Sequence, residues 1–146
     1  MNTTWILAAD GTRARIFAME GTEVQEVEDL SNPRGRAAER DINTDRQGNW
    51  NGGGRQQGAS HSYEPDMTPL KHEEEKFAKA IGEFLDKASL EKRFDKLCVI
   101  APPEFMGRLR EKMGANAKKQ IEEELVKDIS WFSDAAIAEY VKQHLH

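Results

Sequence analysis

The stretch DRQGNWNGGGRQQGASH, Asp45 to His61, gathers side chains that suit contact with a partner better than packing in a core. It holds Arg46, Trp50, Arg55, Gln56 and Gln57 around three consecutive glycines, Gly52, Gly53 and Gly54. Glycine gives up the most conformational entropy on ordering and adds nothing to a core, so such a segment stays loose or is ordered by whatever binds it. From Ser31 to Tyr63 there are five arginines and three acids, 5 − 3 = +2, which leaves −7 for the rest of a chain whose net charge is −5. This locally basic part of an acidic chain suits a short contact with phosphates. The overall charge argues against nonspecific binding along a long nucleic-acid backbone. The ordinary reading of the glycines is a solvated loop, with Arg40 beside Asp41 and Asp45 beside Arg46 neutralising each other.

Other residue types invite other chemistry. His61 and His72 stand near Glu64, Asp66 and Glu73, and imidazole with carboxylate suits zinc or manganese. Their spacing fits no metal motif, so no metal and no cofactor is expected. Asp10, the pair Glu26 and Glu28, and the pair Glu122 and Glu124 are the carboxylates from which a two-metal nuclease site would be built. Asp10 precedes Gly11, where aspartate is favoured for turn geometry alone, and each glutamate pair reads as charge on one face of an edge strand. Ser60, His61 and Asp66 have the residue types of a hydrolase triad but crowd one loop without a nucleophile elbow, which excludes them. The single cysteine, Cys98, permits no intrachain disulfide and no cysteine-based zinc site. Inside LCVIA it reads as a buried, inert thiol.

The elements that must position these residues follow from local pattern. TTWILAA is a short apolar strand, and Asp10-Gly11 is a hairpin signal. RARIFAM alternates, with Ala14, Ile16 and Ala18 on one face and Arg13, Arg15 and Phe17 on the other. Glu20-Gly21 turns again, and VQEVEDL is a third strand whose Val24 and Val27 fall out of strict period. A polar segment from about Ser31 to Met67 interrupts; a loop of that length in a small domain is functional or disordered. Thr68 suits an N-cap and Pro69 the first helical position, and Phe77, Ala78, Ile81, Phe84, Leu85 and Ala88 form an apolar helical stripe running to about Lys87. KLCVIA reads as a central strand covered on both faces. Pro102-Pro103 then opens a helix carrying Phe105, Leu109 and Met113, Ala115 to Lys119 is a short helical turn, and Ile121 to Val126 reads as a strand. Ser133 caps a last helix through Ile137, Val141 and Leu145.

The chain of 146 residues is one domain long and needs no disulfide or metal staple. The fold class is α/β, a mixed sheet with helices on its faces, in the order β-β-β-α-β-α-β-α. That is the order of the ribonuclease-H-like arrangement; an unrelated α+β sandwich is the alternative. The longest apolar run near the N-terminus, WILAA, is too short for a signal peptide core or a membrane span, so a cytoplasmic protein without membrane insertion is expected.

Several stretches together resemble a bacterial family, the host attachment proteins, described as required for attachment to host cells. They are ILAADGTRARIFAMEG, DRQGNW, SHSYEPDMTPLKHEEEKFAKAI, KLCVIAPPEFMGRLREKM and EEELVKDISWFSDAAIAEYV. The most specific are VIAPPEFMGRLR and the run from Tyr63-Glu64-Pro65 to His72-Glu73. The family is in turn similar to the middle domain of eukaryotic and archaeal class 1 peptide chain release factors. There, a loop in the same slot carries Gly-Gly-Gln into the ribosomal peptidyl-transferase centre and helps water cleave peptidyl-tRNA. The resemblance implies a ribosome or tRNA partner, RNA contacts from Arg46, Trp50, Gly52, Gly53, Gly54 and Arg55, and Gln56 and Gln57 as the candidate catalytic side chains. In that role glycines allow close backbone approach, arginines pair with phosphates and Trp50 stacks on a base. Arg55 separates the glycines from Gln56, so Gly-Gly-Gln is not intact. A chain of this length has no room for decoding and ribosome-partner domains, so stop-codon release by it alone is not expected. The competing expectation is a non-catalytic interaction protein, with another protein as partner, required indirectly for attachment.

Overall fold

A continuous apolar run, buried on both faces, places β1, Thr4–Ala9, at the centre of a five-stranded sheet. The computed structural model describes residues 3–34 and 68–145. β1 pairs antiparallel with β2, Arg13–Glu20, which pairs antiparallel with β3, Glu23–Ser31. On its other side β1 pairs in parallel with β4, Lys96–Ala101, and β4 in parallel with β5, Ile121–Val126. The sheet order is β3-β2-β1-β4-β5, so β3 and β5 are the edges.

Parallel neighbours need a crossover, and a helix supplies it. α1, Pro69–Leu90, connects the antiparallel half of the sheet to β4. As the sequence predicts, Thr68 caps it: its hydroxyl accepts a hydrogen bond from the Lys71 amide at 3.2 Å, and Pro69 begins the first turn. α2, Pro103–Lys112, and the short α3, Ala115–Lys119, lead from β4 to β5. α4, Asp134–His144, ends the described chain, with the Ser133 hydroxyl accepting from the Ala136 amide at 3.1 Å.

Two cores result. Trp5, Leu7, Ala9, Ala14, Ile16, Leu97 and Val99 face α1, α2 and α3, meeting Phe77, Ile81 and Leu85 of α1 and Phe105, Met106 and Leu109 of α2. Ile6, Ala8, Phe17, Cys98 and Ile100 point the other way, onto Ile137 and Val141 of α4, Leu145 at its C-cap and Ile129 in its approach. β4 is thus covered on both faces, as its unbroken apolar run predicts.

Two departures from strict strand period have one cause. Between Ile16 and Phe17 the register on β3 jumps from Glu28 to Glu26, so Val27 is an extra residue and reaches the first core while Val24 packs on the second. Between Leu97 and Cys98 the register on β5 jumps from Ile121 to Glu123. A bulge of this kind breaks alternation. Glu122 and Glu124 therefore do not share a face: Glu122 pairs with Lys96, whereas Glu124 pairs with Arg110 of α2.

Gly82 lies where α1 crosses α2. A Cβ there would stand 2.5 Å from the carbonyl oxygen of Lys112, a backbone atom that yields only if the helices separate. Alanine raises helix propensity by about 1 kcal/mol, and overpacking a core costs about 1–3 kcal/mol. Gly82→Ala is expected to lower the unfolding free energy measured in urea. Gly107→Ala, in α2, where a Cβ meets nothing within 4 Å, is expected to raise it.

Candidate functional site at the carboxyl edge of the parallel strands

In open α/β sheets, ligand-binding segments gather beyond the carboxyl ends of the strands. Here that edge is built around Asp10, the residue after β1. Its Oδ1 accepts from the Thr12 amide at 2.8 Å, the Thr12 hydroxyl at 3.0 Å and the Arg13 amide at 2.9 Å, which makes the hairpin turn. Its Oδ2 accepts from the Ser130 hydroxyl at 2.9 Å and the indole Nε1–H of Trp131 at 2.8 Å. Turn geometry explains only half of Asp10; the other half ties the β1–β2 hairpin to the connection between β5 and α4.

A buried cation makes the same tie one layer deeper. Arg15, only 3% exposed, donates Nε–H to Glu26 at 3.2 Å, Nη1–H to the carbonyls of Ser130 (3.4 Å) and Phe132, and Nη2–H to Asp134. Its guanidinium lies 5.3 Å from the centre of the Phe17 ring. Arg13, two residues earlier on the same face, forks onto both oxygens of Asp29 and lies 5.3 Å from the centre of the Trp131 indole. The hydrogen bond from Arg13 holds the Asp29 carboxyl below its usual range, against the opposing effect of desolvation. Asp128 goes the other way. Although the residue is exposed, partial desolvation of its carboxyl, and then the charge of Asp10, hold it above the ordinary aspartate value, opposed by its bonds from Ser130.

The chain leaves the described structure and returns to it at this edge. Asn32, buried after β3, donates from Nδ2 to the Gly11 carbonyl at 3.0 Å and to the Glu73 carbonyl of α1 at 3.2 Å. Its amide donates to the Thr12 carbonyl at 2.9 Å. One side chain therefore joins the end of β3, the β1–β2 turn and the start of α1. Nearby, Arg108 of α2 sits among Glu74, Glu75 and Glu104, at 3.7, 3.3 and 3.3 Å. Glu73, Glu74 and Glu75 thus lie past the first turn of α1; Glu74 and Glu75 pair with Arg108 of the neighbouring helix, and Glu73 pairs with Lys76 of α1 itself. Trp131 and Phe132, 51% and 43% exposed, and Val126 give this edge an apolar outer surface.

Arg46, Trp50, Gly52, Gly53, Gly54, Arg55, Gln56 and Gln57 lie outside the described residues, as do His61, Glu64 and Asp66. Of the carboxylates considered for a nuclease, Asp10 is engaged by five donors, Glu26 by Arg15, Glu122 by Lys96 and Glu124 by Arg110. They do not converge. Among the described residues no group of three or more His, Cys, Asp or Glu side chains could hold a metal ion, and no helix is long and apolar enough to cross a membrane. Sequence reasoning missed Arg15 and Trp131. Arg15 left a signal, a cation on the same strand face as Phe17; the Asp10–Trp131 bond left none, because 121 positions separate its partners.

The fold and this edge define a small α/β protein with a mixed five-stranded sheet and helices on both faces, in which residues 34 and 68, where the described chain breaks and resumes, stand toward the carboxyl ends of the parallel strands. The chain belongs to the family described as "Protein required for attachment to host cells", whose model matches residues 5–141. No curated protein matches it closely enough to count as a relative. Among solved structures it is similar to one described as an archaeal protein, with TM-score 0.54 and 14% identity over 98% of this chain and 34% of that one. It is also similar to the archaeal translation termination factor aRF1, with TM-score 0.45 and 14% identity over 99% of this chain and 41% of that one. The chain spans less than half of either, and the first likeness is one of fold.

The raised Asp128 carboxyl has a definite pH consequence. A group that binds its proton more tightly in the folded state stabilises the fold below its unfolded value, 3.8, and loses that contribution as pH rises through the folded value. Asp128→Asn is neutral at every pH and retains an acceptor for Ser130. It is expected to melt above the wild type at pH 7, with the difference shrinking toward pH 3 when followed by circular dichroism.

Proposed function

We propose that this protein is a single-domain, ribonuclease-H-like scaffold working in the cytoplasm, which carries its Arg46–Gly58 stretch to RNA on the ribosome or on tRNA. The sheet order β3-β2-β1-β4-β5 supports the fold assignment. The observation that carries the functional reading is the clamp at Asn32, which joins the end of β3 to the Gly11 carbonyl and the Glu73 carbonyl. The clamp fixes where the polar segment leaves β3 relative to where it rejoins at α1. Residues 35–67 have a contour that reaches at most about 60 Å out and back. The stretch from Arg46 to Gly58 contains two arginines and no acid, on an otherwise acidic chain. In this reading the glycines admit close backbone approach, Arg46 and Arg55 meet phosphates, Trp50 stacks on a base, and Gln56 and Gln57 orient water for peptidyl-tRNA hydrolysis. Attachment to host cells is then a downstream consequence.

The second reading is a non-catalytic interaction protein that supports attachment through another protein. The family description favours it, as do the exposed Trp131 and Phe132 at the same edge. Cosedimentation with ribosomes separates the two. The wild type is expected to pellet with ribosomes at 50 mM salt, and a variant lacking residues 51–58 to stay in the supernatant. Two phosphate contacts weaken binding by only about sevenfold between 50 and 200 mM salt. No pelleting at low salt overturns the RNA reading in favour of the protein partner. Unchanged peptidyl-tRNA turnover in Gln56→Ala and Gln57→Ala removes the glutamines from the chemistry while leaving the binding reading intact.

A further inference from the structure

At the opposite, amino edge of the sheet lies a cavity of about 370 Å³, within the size range of small-molecule sites. We propose that it binds a small organic cation, an ammonium group on an apolar stem. This inference is independent of the RNA reading, because its residues lie on the far side of the molecule from the Asn32 clamp.

The β5 bulge makes the site. Ile121 packs with the core beneath α1, and Glu124 reaches Arg110 of α2 on that same side. The extra residue on β5, opposite the step from Leu97 to Cys98, turns two consecutive glutamates, Glu122 and Glu123, toward the α4 face, where both line the cavity with Cys98. Bulges re-aim side chains in this way. Both carboxylates act on the thiol: burial first, then Glu123, then Glu122, push Cys98 up to about 12. Cys98 therefore remains a neutral, weakly polar part of the floor.

The charges at the mouth do not cancel. Lys96 pairs with Glu122 at 3.3 Å. Among the described residues Glu123 has no ion-pair partner, which leaves one negative charge facing the cavity. α4 ends here, with Leu145 at its C-cap and on the cavity wall. The carbonyl end of a helix favours cations and disfavours anions. Met19, Cys98 and Leu145 supply apolar wall for a stem, and Thr4 lies on the strand opposite the carboxylates. An anion would meet Glu123, the helix carbonyls and a lysine already engaged. A neutral apolar ligand would leave Glu123 without a counter-charge.

The test is a ¹H–¹⁵N NMR titration of the full chain with n-hexylammonium, with n-hexanol and n-hexanoate as controls of equal stem length. Saturable shifts are expected for the amides of Thr4, Met19, Cys98, Glu123 and Leu145 with hexylammonium, at about millimolar concentration. Glu123→Gln should weaken binding at least about tenfold, the scale of one charge-assisted hydrogen bond. Glu123→Lys should abolish it and favour hexanoate. Glu123 is exposed on an edge strand, so both variants are expected to fold, and unchanged core amide shifts check this. Shifts that do not saturate, equal responses to hexanol, or unweakened binding in Glu123→Gln overturn the proposal.

Discussion

Everything in this molecule hangs on the parallel pairing of β1 with β4, two short strands that are buried on both faces. Neither face can tolerate a polar side chain, so both strands are apolar from end to end apart from their first residues. Their direction demands a crossover, and α1 provides it on one face while α4 covers the other. The antiparallel hairpins that follow β1 do not need that crossover. The chain must travel from the end of β3 to the start of α1, and both points lie at the carboxyl ends of β1 and β4. Where the polar segment departs from β3 and rejoins at α1 is thus a consequence of strand direction.

Ends of buried strands concentrate the polar bonding that their middles exclude. Asp10 takes five hydrogen bonds immediately after the last buried residue of β1. Arg15 enters a face otherwise apolar and is tolerated because two carboxylates and two carbonyls receive it. A buried ion pair of this kind is weak evidence for net stability, and its clearer effect is geometric. It fixes the loop ahead of α4 against β2, and with it the exposed Trp131 and Phe132. The two ends of the sheet consequently differ: the carboxyl edge is bonded tightly around Asp10 and Arg15, whereas the amino edge leaves a cavity lined by Glu123, which has no ion-pair partner among the described residues.

Membership in the attachment family rests on the match over residues 5–141, and under the proposed RNA reading an acidic body with one basic stretch makes a local contact. The apolar residues exposed at the same edge keep a protein partner in view. Both readings use one end of the sheet, where the polar segment leaves β3 and Trp131 and Phe132 are exposed.

The sequence by itself determined which segments are strands and helices, where the helices begin at Thr68 and Ser133, and that β4 is central. Those features depend on periodicities and caps spanning a few residues, which any local reading captures. The strand pairing partners of Glu26, Glu122 and Glu124 were decided only by the tertiary structure. The two bulges exist as mismatches between neighbouring strands, so Val24 and Val27 showed a broken period without its cause, and Glu122 and Glu124 were read as sharing a face. Asp10, Arg15 and Trp131 meet across more than a hundred residues, where no spacing rule reaches. Local pattern specifies an element's own geometry, but register and long-range bonds arise only when separate elements are pressed together around a common core.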